Sequence, residues 1–401
     1  MDGNRPILIE DMSSQDDLEF LFHPGTGSMP PYLAGRALEK EFFKKQMRGL
    51  ARGRQIDRDM IVYGPRGNGK TVLLRFLQKQ TGKDHPGVAI AWMTPDKIRT
   101  PRMLFERIAA SGPKGHQWFK QFSANIQVAG TGAGFSMDRD REWGFGDTSI
   151  AVRELCGQTP FVLVIDEAHM LEPEVARDLL NTSQEVRGTG GAFFLVLAGT
   201  PGLKKTLSRA GASFWGRNEL FPIGRLSLEE SKEALLRPLQ AYDISFAPGV
   251  VEDMVRRAER YPFFLQLWGE ALCTQLRPGE VIEAGQVEAV GSSVNRKRNR
   301  MYADRYNELR FAGYLEIARH LVPRFQEKGP VIHEDLLWED VAAYCRRDGQ
   351  DGGEALQGLE ALGYVWQADG DTPAYEAGIP SLMDYVAGTG RGRTLGRGRG
   401  D

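Results

Sequence analysis

The segment GPRGNGKT (Gly64–Thr71) fits the spacing G-x-x-x-x-G-K-[ST]. Each residue type there has a job on a polyphosphate. Glycines let backbone N–H groups turn inward around the oxygens, a lysine reaches the β and γ oxygens, and a hydroxyl is offered to Mg²⁺. Lys70 and Thr71 stand at those positions, and a helix starting near Thr71 would add its positive dipole end. In a glycine-rich chain such a spacing also arises by chance. The context of an apolar run before it and a helical pattern after it argues against that. The expected contact stretch is Gly64, Pro65, Arg66, Gly67, Asn68, Gly69, Lys70, Thr71 and Val72.

A second segment, FVLVIDEAH (Phe161–His169), is an apolar run ending in two carboxylates. Asp166 is expected to hold Mg²⁺ through its waters, and Glu167 to orient and activate an attacking water. A strand followed by a helix cap explains these residues alone about as well, but the pair of segments points to one chemistry. A third run ends in LVLAGTPG and puts Thr200 at its close. Thr200 is read as a sensor of the γ-phosphate or a water-positioning group; a plain Thr-Pro turn is the competing reading. Of Arg209, Arg217 and Arg225, Arg217 is favoured as an arginine finger acting on a neighbour's nucleotide. A lone arginine is otherwise a solvated surface residue.

Elements must position these groups. Met60–Tyr63, Val88–Trp92, Phe161–Ile165 and Phe193–Ala198 are short apolar runs bounded by turn signals and alternating with helical patterns. This predicts an α/β fold, a parallel sheet covered on both faces. A helix is expected from Leu38 through Leu50, and residues 1–32 read as irregular. Residues 112–158 are glycine-rich and read as an insertion or edge hairpin, with Asn125–Phe135 as the hairpin. From Leu226 the pattern is helical, near 228–240, 249–259 and 263–276, with Ser227 and Glu230 spaced as a capping box. Residues 226–295 would form a helical lid beside a 33–225 core. RKRNR (Arg296–Arg300) falls in an expected basic linker, 296–302. Residues 303–387 show helices near 304–325, 334–346 and 352–362, then a hairpin in YVWQADGDTPAYEAG, which together make a winged-helix pattern. Residues 388–401 are an Arg/Gly tail, expected to be disordered.

Composition excludes other classes. The chain has 401 residues, 41% hydrophobic and 26% charged, with a net charge of −2, so no bulk field draws it to nucleic acid or acidic lipid. The three cysteines, Cys156, Cys273 and Cys345, are far apart, which suits a reducing cytosol and gives no metal-ligand spacing. No apolar stretch of about 18 residues occurs, and the first residues lack a basic n-region, so a cytoplasmic protein without a secretory leader is expected.

These motifs resemble the AAA+ and STAND-like ATPases, above all the origin-recognition-type, archaeal-type and transposition-associated members. The resemblance covers roughly residues 33–290 with the winged helix after it. It implies a P-loop NTPase core, ATP and Mg²⁺ as ligands, hydrolysis coupled to lid movement, and a homo-oligomer. YLAGRALEKEF resembles the element flanking the nucleotide, which would put Gly35 and Arg36 near the adenine. RYPFFLQLWGEAL resembles the lid helix opened by Gly-x-Pro, with Pro262 in place. Here Glu259-Arg260 stand where the family has a glycine, and no arginine follows until Arg277, so the family's second sensor arginine is not evident.

The winged helix invites a DNA-binding reading, but its charge opposes it. Residues 303–387 hold seven Lys/Arg and sixteen Asp/Glu, a net of −9, and the candidate recognition helix Gly352–Gly363 has no Lys or Arg. It cannot supply the phosphate contacts that dominate nucleic-acid affinity. A protein partner is therefore at least as well supported. DNA remains open through Arg296–Arg300 or the tail arginines 391, 393, 397 and 399. The leading expectation is a nucleotide-controlled oligomeric switch or motor in a DNA-related process (replication, transposition or prokaryotic defence). The alternative is an ATP-dependent signalling scaffold whose acidic winged helix recruits an effector. A small-molecule kinase is a third reading, with no visible acceptor site.

Overall fold

The computed structural model describes residues 18–25, 27–111, 145–211, 215–328, 331–367 and 374–388. In chain order the elements begin with α1 (Ala37–Leu50), β1 (Met60–Tyr63), α2 (Lys70–Asp84), β2 (Ala89–Met93) and α3 (Pro101–Ala110). Next come α4 (Phe145–Gln158), β3 (Phe161–Ile165), α5 (Pro173–Gly188), β4 (Phe193–Gly199), α6 (Leu203–Arg209) and β5 (Glu219–Pro222). The helical stretch holds α7 (Leu228–Gln240), β6 (Ser245–Phe246), α8 (Val250–Arg257), α9 (Pro262–Cys273), β7 (Val281–Ile282) and α10 (Ala284–Phe311). The last elements are α11 (Leu315–Lys328), β8 (Val331–His333), α12 (Glu334–Asp348), α13 (Gly352–Ala361), β9 (Val365–Trp366), β10 (Ala374–Ala377) and α14 (Leu382–Gly388). They fall into two compact units. Arg36–Tyr63 with Leu73–Phe221 forms a sheet unit; Met1–Gly35, Gly64–Val72 and Pro222–Asp401 form a helical unit.

The sheet has five strands in the order β2-β3-β4-β1-β5. β2, β3, β4 and β1 run parallel, with Leu163 level with Leu195 and Tyr63 level with Gly199. All residues of β3 and β4 are buried, as expected of continuous apolar strands covered on both faces. One buried carboxylate fastens the start of β1. Asp59 accepts from Ser183 Oγ at 2.6 Å and from the Leu195 N–H at 3.1 Å, and lies 3.3 Å from Arg187. Burial pushes the Asp59 pKa up, against the Arg187 charge and these donors.

The helical unit shares one core running from Leu18 to Val386. This core takes in part of the N-terminal segment, and two sequence expectations, the linker over 296–302 and a single helix near 304–325, fail in it. Within the segment read as irregular, Leu18, Leu21 and Phe22 are buried, and a Cβ on Gly269 of α9 would lie 2.6 Å from the Phe22 ring. The run Arg296–Arg300, expected in a linker over 296–302, lies inside the 28-residue α10. Val287, Val290, Val294 and Tyr302 are buried along α10 at helical spacing, which holds the helix through the charged run. The single helix expected near 304–325 is two, broken where Gly313 takes φ 79°.

The capping box is present: Ser227 Oγ accepts from the Glu230 N–H at 3.2 Å and Glu230 accepts from the Ser227 N–H at 2.8 Å. After α10, the helices α11, α12, α13 and α14 accompany a three-stranded antiparallel sheet in the order β8-β10-β9, with Tyr375 opposite Ile332 and Glu376 opposite Trp366. The hairpin was expected; the third strand, β8, was not. In the glycine-rich region residues 145–158 are helical rather than an insertion, while the Asn125–Phe135 hairpin and the tail 389–401 lie outside the described residues. No helix among the described residues is long and apolar enough to cross a membrane.

Candidate functional site

The chain leaves β1 at Tyr63 and enters the glycine loop, and α2 starts at Lys70. Two glycines are dictated by space. A Cβ on Gly64 would lie 2.3 Å from the Ile223 carbonyl oxygen, and one on Gly67 would lie 2.7 Å from Tyr261 Oη, with Gly67 at φ 81° besides. The Lys70 ammonium donates to the carbonyls of Gly64 and Pro65 at 2.7 and 2.8 Å and is itself buried. It thus lies along the loop it would serve, with its charge inside the ring of backbone. Asn68 is buried too, and Arg66 is exposed.

Helix α9 holds this loop by its first turn. Pro262 is the first residue of α9, where the missing N–H costs nothing. The next N–H, from Phe263, would be an orphan of the helix start; it donates to the Gly67 carbonyl at 3.2 Å. The Tyr261 hydroxyl donates to the Arg66 carbonyl. Burial raises the Tyr261 pKa, so the phenol keeps the proton that this bond needs. Where the sequence lacks a glycine, Glu259 and Arg260 both take left-handed backbone, φ 54° and 55°. Partners hold them there. Arg298 reaches Glu259 at 2.6 Å, Ser381 donates to the same carboxylate, and the Arg260 carbonyl accepts from the Leu226 N–H at 3.0 Å.

The elements after α10 belong to the same unit as the loop. Arg225 pairs with Glu376 at 2.8 Å, Tyr302 donates to the Pro380 carbonyl at 2.9 Å, and a Cβ on Gly363 would lie 3.9 Å from Pro65 Cα. Gly35, at φ 64°, presses on the start of α7: a Cβ there would lie 2.3 Å from Glu230 Oε1. Arg36, also left-handed at φ 59°, opens α1 in the sheet unit.

In the sheet unit the carboxylates stand just past β3. Asp166 is buried and its Oδ1 accepts from the Glu167 N–H at 3.0 Å. Glu167 sits in left-handed backbone, φ 55°, with its side chain 49% exposed. Thr200, just past β4, is buried, and its hydroxyl oxygen has no hydrogen-bond partner among the described residues. A buried hydroxyl in that state fits a ligand or water rather than packing. His169 connects the two. Its Nδ1 accepts from the Thr200 N–H at 3.3 Å and lies 3.5 Å from Glu167 Oε2. Accepting from Thr200 assigns the ring proton to Nε2. The sequence reading gave His169 no role; its place three residues after Asp166, at the start of the next turn, was the available signal.

Arg217 is not brought to this group. It is exposed beside Gln55, Asp57 and Asn218, and Asn218 Oδ1 accepts from the Asp59 N–H at 3.3 Å. That is the side where β1 begins, whereas Asp166 and Thr200 lie beyond the ends of β3 and β4.

Comparison with known proteins agrees with this geometry. Residues 56–207 match the family model described as AAA domain. The Walker-type ATPase PABY2304 of Pyrococcus abyssi is similar in structure at a TM-score of 0.58 and 14% identity, over 92% of this chain and 99% of that one. At that identity the likeness is one of fold, and the fold is the α/β P-loop NTPase fold. Aeropyrum pernix ORC1, solved in complex with DNA, gives a TM-score of 0.44 at 15% identity, over 92% of this chain and 96% of that one. The Thermotoga maritima RuvB Holliday junction branch migration motor gives 0.42 at 14%, over 88% and 95%. Likeness at those scores bears on no functional reading. No curated protein matches the chain.

Proposed function

We propose that this chain binds ATP with Mg²⁺ at Gly64–Thr71 and hydrolyses it as an AAA+/STAND-like switch. The observation that carries the reading is the glycine loop itself. It has no room for a Cβ at Gly64 or Gly67, it has Lys70 laid along its carbonyls, and it stands between a strand and a helix. In this reading Lys70 takes the β and γ oxygens, Thr71 holds Mg²⁺ directly and Asp166 holds it through water. Glu167 polarises the attacking water, and the unpartnered Thr200 hydroxyl senses the γ-phosphate or positions that water. Gly35, Arg36 and Pro262 border the nucleotide. Arg217 serves a neighbouring copy in a homo-oligomer, in keeping with its distance from its own chain's carboxylates. Bound Mg²⁺ would supply charge neutralisation on the β and γ oxygens. The test is turnover of ATP by the purified chain. Release of phosphate that Lys70→Ala abolishes is expected; wild-type protein that neither binds nor hydrolyses ATP would sink the reading.

The helix–strand–helix–helix–strand–strand order from α11 to β10 supports a winged-helix reading of the C-terminal region. Its net charge of −9 and the lack of Lys or Arg on α13 favour a protein partner there over DNA. Of the basic run, Arg298 is drawn in against Glu259, while Arg296, Lys297 and Arg300 are exposed, Lys297 paired with Glu270. Direct DNA binding would thus be weak and salt-sensitive. We place the protein in the cytoplasm, acting in a DNA-related process through a recruited protein, with a signalling scaffold as the second form of the same switch.

A further inference from the structure

The net charge of −2 conceals an uneven distribution. From Lys40 to Arg58 the chain has seven Lys or Arg and two acids, and from Arg75 to Lys83 it has three Lys or Arg and no acid. The first stretch covers most of α1 and the turn after it, the second lies on α2, and both belong to the sheet unit. Lys44 and Arg48 stand four residues apart on α1, and Arg52 follows at the same step in the turn beyond it. Arg75, Lys79 and Lys83 repeat that spacing on α2. Each set thus makes a row along one side of its helix, with about 6 Å between steps. All six are exposed.

Packing sets the two rows side by side. Phe43, Met47 and Leu50 are buried on the other side of α1, and the Phe43 ring lies 5.7 Å from Phe194 of β4. The Lys40 ammonium lies 5.8 Å from the centre of the Phe76 ring on α2, so the helices are neighbours. A Cβ on Gly49, near the end of α1, would lie 4.0 Å from Ile56, four residues before β1. Helix α1 therefore ends near the start of β1, α2 leaves from its end, and the two helices run the same way. With Lys40 opposite Phe76, Lys44 and Arg48 come level with Lys79 and Lys83. Among the described residues, Lys44, Arg48, Arg52, Lys79 and Lys83 have no ion-pair partner. On α10, by contrast, Lys297 and Arg298 are both paired.

Exposed like charges in two ranks repel one another and raise a local positive potential, which a polyanion relieves. The surroundings select the kind of polyanion. A protein interface is anchored by apolar and aromatic side chains and is poor in lysine. A single strand stacks its bases on exposed aromatic rings. On α1 and α2 the one large apolar side chain exposed is Leu38, in the first turn of α1 and off the row of Lys44 and Arg48. A duplex backbone needs cations and no such anchors.

We infer that the exposed face of α1 and α2 is a docking surface for duplex nucleic acid, holding its phosphates through Lys44, Arg48, Arg52, Lys79 and Lys83 without reading its bases. The surface belongs to the sheet unit and not to the acidic C-terminal region, so duplex contact and recruitment of a protein fall to different parts of the chain. It stands independently of the ATP reading and gives the proposed DNA-related process a direct contact.

The experiment is fluorescence anisotropy of the full chain with a labelled, mixed-sequence DNA duplex of about 30 base pairs, from about 50 to about 200 mM salt. A single strand of the same length and polyglutamate of matched charge serve as competitors. Log affinity of the wild type should fall by about four to five per tenfold rise in salt. Lys44→Gln, Arg48→Gln, Lys79→Gln and Lys83→Gln combined should weaken binding roughly a hundredfold or more at about 50 mM salt and reduce that slope by about three. Either pair alone, Lys44→Gln with Arg48→Gln or Lys79→Gln with Lys83→Gln, should give about half the change in slope, which keeps the test decisive if the fourfold variant folds poorly. Melting points should match wild type. Arg296→Gln with Arg300→Gln, exposed cations of α10, should bind as wild type does. No duplex binding at about 50 mM salt overturns the surface and leaves the ATP reading, which turnover tests, standing. Wild-type affinity in the fourfold variant overturns it as well, since the tail arginines would then carry the binding. Equal loss in the Arg296 and Arg300 variant marks a general charge effect and overturns it too. A single strand or polyglutamate that displaces the duplex at equal charge overturns the choice of partner.

Discussion

The phosphate loop and the carboxylate end of the sheet are built on opposite plans. The loop is defined by backbone. Its carbonyls are taken by Lys70, Tyr261 and Phe263, and its shape is fixed by positions where a Cβ has no place. The carboxylate end is defined by side chains on a rigid edge: buried Asp166, half-exposed Glu167, the Thr200 hydroxyl, and His169 between the last two. A site of the first kind fails when its shape changes. A site of the second kind can lose a functional group and keep its fold. Binding and turnover should therefore come apart under mutation along that line.

The largest effect should come from Gly67→Val. The new side chain meets Tyr261 and a left-handed backbone that β-branched residues reject. It should cost about 3 kcal/mol of stability and remove ATP binding, as read by melting and calorimetry. Glu167→Gln should come next. Turnover should fall roughly a hundredfold or more, while ATP affinity and melting point stay near wild type. Loss of affinity equal to the loss of rate would erase the distinction between the two plans. His169→Ala should be milder. It strips the acceptor from the Thr200 N–H, a loss of about 1–3 kcal/mol if no water replaces it, and turnover should drop about tenfold with binding intact.

The smallest effect lies away from both regions and serves as their control. Asp178 on α5 is buried, its Oδ2 lacks a partner among the described residues, and burial, with Glu174 adding, pushes its pKa up to about 6. A carboxyl that holds its proton more tightly folded than unfolded loses stability for the protein as pH rises from about 4 to about 6. Asp178→Asn should thus raise the melting point by a few degrees at pH 7.5, about 1 kcal/mol, and do nothing at pH 4. ATP affinity should not move.

The sequence announced the loop and the carboxylates because both are local: eight and nine consecutive residues carry their geometry. The helices from Leu228 to Cys273 were legible for the same reason, through spacing and the Ser227–Glu230 box. What escaped depends on contacts far along the chain. A glycine was sought at Glu259-Arg260, yet the left-handed backbone is held there by Arg298 and Ser381, 39 and 122 residues away from Glu259. The basic run reads as a linker from its charge alone, whereas the buried stripe Val287, Val290, Val294 and Tyr302 on either side of it carries the helix through. His169 stood within the motif, but only the fold pairs it with Thr200.

The bond from the Phe263 N–H to the Gly67 carbonyl carries a further consequence. An amide at the first turn of a helix ordinarily exchanges its hydrogen with solvent quickly, having no partner within the helix. This one is spent on the phosphate loop. The deuterium uptake of Phe263 thus reports any parting of α9 from the glycine loop, and that single amide serves as a clock for it without any label placed on the protein.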